Sequence, residues 1–132
     1  MFGWWGKVRG AGRADAIPEI DAHTDLDGLF REQAVILFKH STACPVSWAA
    51  HAHVMRFRAQ NRSVPVYLVP VLRQRAASRA IAERTGVPHE SPQIILVRNG
   101  VAAETASHGE ITHDRLAGIL ATAIKAPETA MP

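Results

Sequence analysis

Residues 34–47 read Ala34-Val35-Ile36-Leu37-Phe38-Lys39-His40-Ser41-Thr42-Ala43-Cys44-Pro45-Val46-Ser47. The run from Ala34 to Phe38 is apolar throughout and of strand length, as expected of a strand covered on both faces. Pro45 opens an amphipathic helix reaching about residue 60. Proline suits the first helical turn because its missing N–H would have had no intrahelical partner. Cys44, the chain's single cysteine, therefore stands at the junction, where backbone N–H groups and the helix dipole favour thiolate over thiol. Three residues on, where a dithiol oxidoreductase carries its second sulfur, the chain has Ser47. The stretch is a candidate one-thiol redox centre.

Outward from this junction the elements follow in order. In the helix, Val46, Ala50, Val54 and Phe57 form one inward stripe. Upstream, residues 21–31 carry Leu26, Leu29 and Phe30 at helical spacing, with Thr24 as N-cap. Downstream, Pro65-Val66-Tyr67-Leu68-Val69-Pro70-Val71 is a second strand, whose prolines cannot donate to a ladder and argue for a sheet edge. A helix over residues 76–85 stops at Gly86. Gln93-Ile94-Ile95-Leu96-Val97-Arg98 is a third strand. Asn99-Gly100 accepts the positive φ values of a type I′ turn, and residues 101–107 return as the fourth strand. A last helix over residues 112–125 carries Leu116, Ile119, Leu120 and Ile124.

A strand–helix–strand crossover, a helix and an antiparallel hairpin is the ground plan of the thioredoxin fold, an α/β architecture. It predicts a four-stranded mixed sheet flanked by helices, with the Ala34 and Gln93 strands central. Residues 1–20 read as a loosely ordered lead-in, with Trp4 and Trp5 packed back on the domain. Residues 21–125 form the domain, and 126–132 a frayed tail.

A chain of 132 residues suits one domain with a genuine core. The net charge is +3 and the pI about 9.6. Its cations are dispersed over Lys39, Arg56, Arg58, Arg62, Arg73, Arg75, Arg79 and Arg84. With no recognition helix or stacking platform, nucleic-acid binding is disfavoured. Diffuse attraction for anionic small molecules or acidic partners is the better reading. The first residues show no apolar h-region or cleavage site, and no stretch has the length of a bilayer span. A cysteine that cannot pair within the chain fits a reducing cytoplasm.

Three motifs carry a resemblance: Phe-Lys-His-Ser-Thr-Ala-Cys-Pro-Val-Ser at 38–47, Gly-Val-Pro-His-Glu-Ser-Pro-Gln at 86–93, and Ala-Ser-His-Gly-Glu-Ile-Thr at 106–112. Together they resemble the thioredoxin-like bacillithiol system redox-active protein family, also called YtxJ and regarded as monothiol bacilliredoxin-like. The resemblance spans residues 24–124. It implies that Cys44 is the redox thiol and that Ser47 occupies the resolving-cysteine position. It also implies that Ser91-Pro92 is a cis pair facing the thiol, turning the Ser91 backbone towards an extended substrate. Two positions depart from the family pattern. Residues 102–106 lack its usual tryptophan, and Gly109 stands where an aromatic residue often follows His108.

The implied chemistry is exchange with bacillithiol, or a similar small thiol, as co-substrate without a resident cofactor. The Cys44 thiolate attacks the bacillithiol sulfur of a mixed disulfide on a client, and the client leaves as a thiol. A second small thiol or a separate protein then regenerates Cys44, and Ser47 donates a hydrogen bond to the thiolate. Lys39 and Arg75 are candidates for gripping anionic groups such as the malate carboxylates of bacillithiol. Thr42 and Ser91 border the substrate, His40 supports the thiolate when protonated, and His108 lines the groove. His51 and His53 point apart on a helix, so no metal site is expected. The expected partners are a small thiol and thiol-modified clients, with no nucleic acid and no membrane, and the chain is expected to be a monomer or weak dimer. An iron–sulfur cluster bridged between two Cys44 thiolates, and a non-catalytic interaction module, are the competing readings.

Overall fold

The computed structural model describes residues 16–125. Trp4, Trp5 and the expected tail from residue 126 lie outside the described residues. The elements are α1 (Leu26–Arg31), β1 (Ala34–His40), α2 (Pro45–Gln60), β2 (Val66–Pro70), α3 (Arg75–Thr85), β3 (Gln93–Arg98), β4 (Val101–Ser107), a 3-10 turn (His108–Glu110) and α4 (His113–Ile124). The sheet order is β2-β1-β3-β4. β1 runs parallel to β2 and antiparallel to β3, which pairs antiparallel with β4. The two apolar strands are central and the proline-bearing strand is terminal, as the sequence predicts.

Alternation along the central strands builds one core on each face of the sheet. Ile36, Phe38, Ile94 and Leu96 meet α2 and α4 through Ala50, Val54, Phe57, Leu116 and Ile119. Val35, Leu37, Ile95 and Val97 meet α1 and α3 through Leu29, Phe30 and Ile81. Each such large apolar side chain, fully buried, contributes about 1.5–3 kcal/mol relative to exposure. Asn99 and Gly100 have φ values of 53° and 82°, as the tight hairpin requires, and Gly86 ends α3 at φ 73°.

Four local expectations are corrected. The domain begins before Asp21, because Ile17 and Ile20 are core residues. Ile20 N–H donates to Leu68 O, and Leu68 N–H to Pro18 O, each at 2.8 Å, so residues 18–20 cover the free edge of β2. Thr24 does not cap α1. The N-cap is Asp25, and Thr24 Oγ1 instead accepts the Asp21 N–H at 2.9 Å. Val46 is 46% exposed, and the inward stripe of α2 is Ser47, Ala50, Val54 and Phe57, because His40 and the Ser41 N–H satisfy the Ser47 hydroxyl at the buried position. In α4, Ile124 is exposed and Ala123 takes the inward place.

Candidate functional site

Lys39 of β1 pairs with Gln93 at the start of β3, and His40 pairs with Pro70 at the end of β2. The loops 41–44, 71–74 and 87–92 therefore leave one and the same edge of the sheet. Val71 N–H donates to His40 O at 3.1 Å, stitching two of them together.

Cys44 is the N-cap of α2, with extended backbone (φ −120°, ψ 120°) and a half-buried side chain. Among the described residues no side chain caps this 16-residue helix, and its first turn holds no acidic residue. The positive end of the helix is thus left to whatever negative charge develops at Cys44. Ser47, one turn in, is fully buried. Its hydroxyl accepts the Ser41 N–H at 2.9 Å and lies 2.7 Å from His40 Nδ1. The bonds of Ser47 therefore run to His40 and Ser41, and it fixes the loop that carries the thiol.

His40 is 4% exposed and sits among Phe38, Trp48 and His51, with the Trp48 ring edge-on at 4.7 Å between centroids. Burial, reinforced by His51, pushes its pKa below the usual histidine value. The expected cationic support for the thiolate is thereby corrected: the ring is neutral at pH 7. Among the described residues, its Nε2 and the Ser91 hydroxyl are the buried side-chain polar atoms without a partner. Trp48 and His51 were not singled out as site residues in the sequence, although Trp48 lies one helical turn after Cys44. Trp48 Nε1–H donates to the carbonyl of the exposed Thr42 at 2.9 Å and so braces the thiol loop.

The Ser91–Pro92 peptide bond is cis. Pro92 O accepts the His108 N–H at 2.9 Å, tying this loop to the turn after β4. His108, at φ 54°, places Nε2 2.5 Å from Glu90 Oε1. An open depression beside it is lined by Glu90, Ser107, His108, Gly109 and Glu110. With two carboxylates around it, His108 acts as a clasp between loops rather than as a receptor for anions. Gln93, expected only as the first residue of a strand, also closes the same loop by donating to Pro88 O at 3.1 Å.

Lys39 is on the other face of the sheet from α2 and has no exposed surface. Its Nζ donates to Ser78 O and to His89 Nδ1, each at 3.1 Å. Burial without a carboxylate pushes its pKa down to about 8. The expectation that Lys39 grips a ligand is corrected, since strand alternation turns it inward. Burial, then the Lys39 charge, also lowers the pKa of His89, so its neutral ring accepts from the ammonium. Arg75 is exposed at the start of α3. The loop edge thus gathers Cys44, Ser47, His40 and Thr42 on one loop and helix, Ser91, Pro92 and His108 on a second cluster, and Arg75 on a third. Among the described residues no three His, Cys, Asp or Glu side chains group to hold a metal, and no helix is long and apolar enough to cross a membrane.

The fold is shared with known redox proteins. A structure described as a candidate oxidoreductase with a thioredoxin fold is 29% identical, at a TM-score of 0.72 over 82% of this chain and 96% of that one. A mutant thioredoxin from Halobacterium salinarum gives 0.68 at 18% identity, over 86% and 95% of the two chains. Thioredoxin f2 from Chlamydomonas reinhardtii gives 0.67 at 12% identity, over 85% of this chain and 100% of the other. These likenesses establish the thioredoxin fold, and a thiol redox role agrees with the half-buried N-cap cysteine. The family model of monothiol bacilliredoxin BrxC matches residues 17–116, and the chain belongs to that family.

Proposed function

We propose that this protein is a monothiol thiol–disulfide oxidoreductase that removes or exchanges bacillithiol, or a similar small thiol, on client proteins through Cys44. The observation that supports it most is the placement of the lone cysteine. It is accessible, at the uncapped N-terminus of a long helix, with a buried serine in the second-sulfur position. In the first step the Cys44 thiolate bonds to the small-thiol sulfur of a mixed disulfide. The old S–S bond breaks, and the client sulfur leaves with the electron pair. The helix N-terminus favours negative charge on sulfur as it attacks and as it leaves.

Ser47 cannot accept the second bond, so Cys44 holds the small thiol until another thiolate attacks and releases it. Ser47, His40 and Trp48 hold the thiol loop, while Glu90, His108 and Gln93 hold the loop of Ser91 and Pro92. In this reading Ser91 offers backbone to an extended client segment, Thr42 borders it, and Arg75 meets anionic groups. The small thiol is a co-substrate and no resident cofactor is required. The reading belongs to a reducing compartment, the cytoplasm, and needs no more than a monomer. The test is a client carrying a bacillithiol mixed disulfide, mixed with reduced protein. The client should return to its free thiol while Cys44 gains the adduct, and Cys44→Ser should leave the client modified. Release of the client by Cys44→Ser at the wild-type rate sinks the proposal.

A further inference from the structure

The exchange reaction leaves the Lys39 ammonium without a task. It is fully buried, and among the described residues no carboxylate pairs with it. A methionine would fill the same space with no charge to desolvate. What Lys39 adds is a pair of directed bonds. Its Nζ donates to Ser78 O on α3 and to His89 Nδ1 in the loop 87–92, each at 3.1 Å. The Ser78 hydroxyl lies 3.2 Å from the same ring nitrogen. An ammonium can only donate, so Nδ1 accepts and the ring proton sits on Nε2. β1, α3 and the loop are thereby joined at His89, two residues before Ser91. Lys39 also stands across the sheet from Gln93, the residue that follows the cis Ser91–Pro92 pair. Elsewhere the loop is fastened through Pro88 O to Gln93 and through Pro92 O to the His108 N–H.

Resting on the exchange reaction proposed above, we infer that Lys39 and His89 are positioning residues for the client: their bond is a latch that sets where the loop offers the Ser91 backbone, and it closes only while His89 is neutral. Protonation puts an N–H and a positive charge on the nitrogen 3.1 Å from the ammonium. Two donors and two like charges then meet, and the contact opens. Of the charged groups around His89, the adjacent Glu90 favours that proton. Lys39 from β1 opposes it, as do Arg75 and Arg79 of α3, which line a groove with His89. Burial, then the Lys39 charge, keeps the ring neutral at pH 7, so the latch is closed there and opens in acid.

Two substrates test this: bacillithiol disulfide, and a histidine-free peptide carrying bacillithiol on its one cysteine. Both leave the same adduct on the same thiol, so the ratio of their rates cancels the ionisation of Cys44. In Lys39→Met and His89→Leu the peptide should react about tenfold more slowly, while bacillithiol disulfide stays within about twofold of wild type. His89→Asn, whose amide oxygen can accept from Lys39 in place of Nδ1, should keep the wild-type ratio at about pH 7.5. From about pH 7.5 to about 5.5 the ratio of peptide to small disulfide should fall in wild type and stay level in His89→Asn. Unchanged peptide rates, equal losses for both substrates, or the wild-type pH slope in His89→Asn overturn the inference while leaving exchange at Cys44 intact. If Lys39→Met does not fold, the two variants at the exposed His89 decide. If Cys44 reacts with neither substrate, exchange fails on its own, and the latch is read in Cys44→Ser. There the Ser91 amide resonance should move over the same pH range and hold still once His89→Asn is added, and equal movement in both overturns the latch.

Discussion

His40 Nδ1 and Ser47 Oγ lie 2.7 Å apart inside the protein, joining the last residue of β1 to the first turn of α2. The same hydroxyl accepts the Ser41 N–H. Ser47→Ala strips both groups of their partner at a fully buried position, so it should cost about 1–3 kcal/mol of stability. Urea unfolding reads this directly. An unchanged midpoint would mean that the bond does not secure the thiol loop.

Ser47→Cys tests what the missing sulfur does. A second thiol three residues after Cys44 should attack the Cys44 mixed disulfide and expel the small thiol, closing an internal disulfide. Intact mass should then show a chain lacking two hydrogens and carrying no adduct, while wild type keeps the adduct. A stable adduct on the variant would contradict the assignment of position 47.

Lys39 makes stability depend on alkaline pH. Its folded pKa is pushed down to about 8 from 10.5, so between those values the unfolded chain binds the extra proton. Folding therefore becomes more favourable as pH rises through this window, by up to about 1.4 kcal/mol per pH unit. Compared with Lys39→Met, wild type should gain stability from pH 8 to 10. Parallel pH profiles would show that the buried ammonium carries no such strain.

His40, His51 and His89 act on the acid side. Burial is the main cause that lowers all three pKa values. Below about pH 6.5 the unfolded chain takes up protons first, so stability falls with falling pH. The loss should be shallower in His40→Asn, which removes one of the three groups. Thermal melts from pH 7 to 5 read the slopes, and equal slopes would place His40 outside the titration.

The junction at Cys44 was legible because it is local: an apolar run, a proline at the first helical position and a cysteine between them. The order of strands followed from the prolines around Tyr67 and from Asn99-Gly100. What escaped the sequence depends on distant partners. Lys39 finds Ser78 and His89 from 39 and 50 residues away, so nothing beside it announces its burial. Ser47 is polar, yet it replaces Val46 on the inward stripe because Ser41 and His40 satisfy its hydroxyl. Ile17 and Ile20 join the core only through pairing with Leu68, far along the chain.

The central claim is that Cys44 exchanges a small thiol. Reduced protein should be exposed to bacillithiol disulfide and weighed intact, beside Cys44→Ser. One adduct in the wild type, reversed by excess free thiol and absent from the variant, is the predicted result. Folded wild-type protein that stays unmodified would contradict the account.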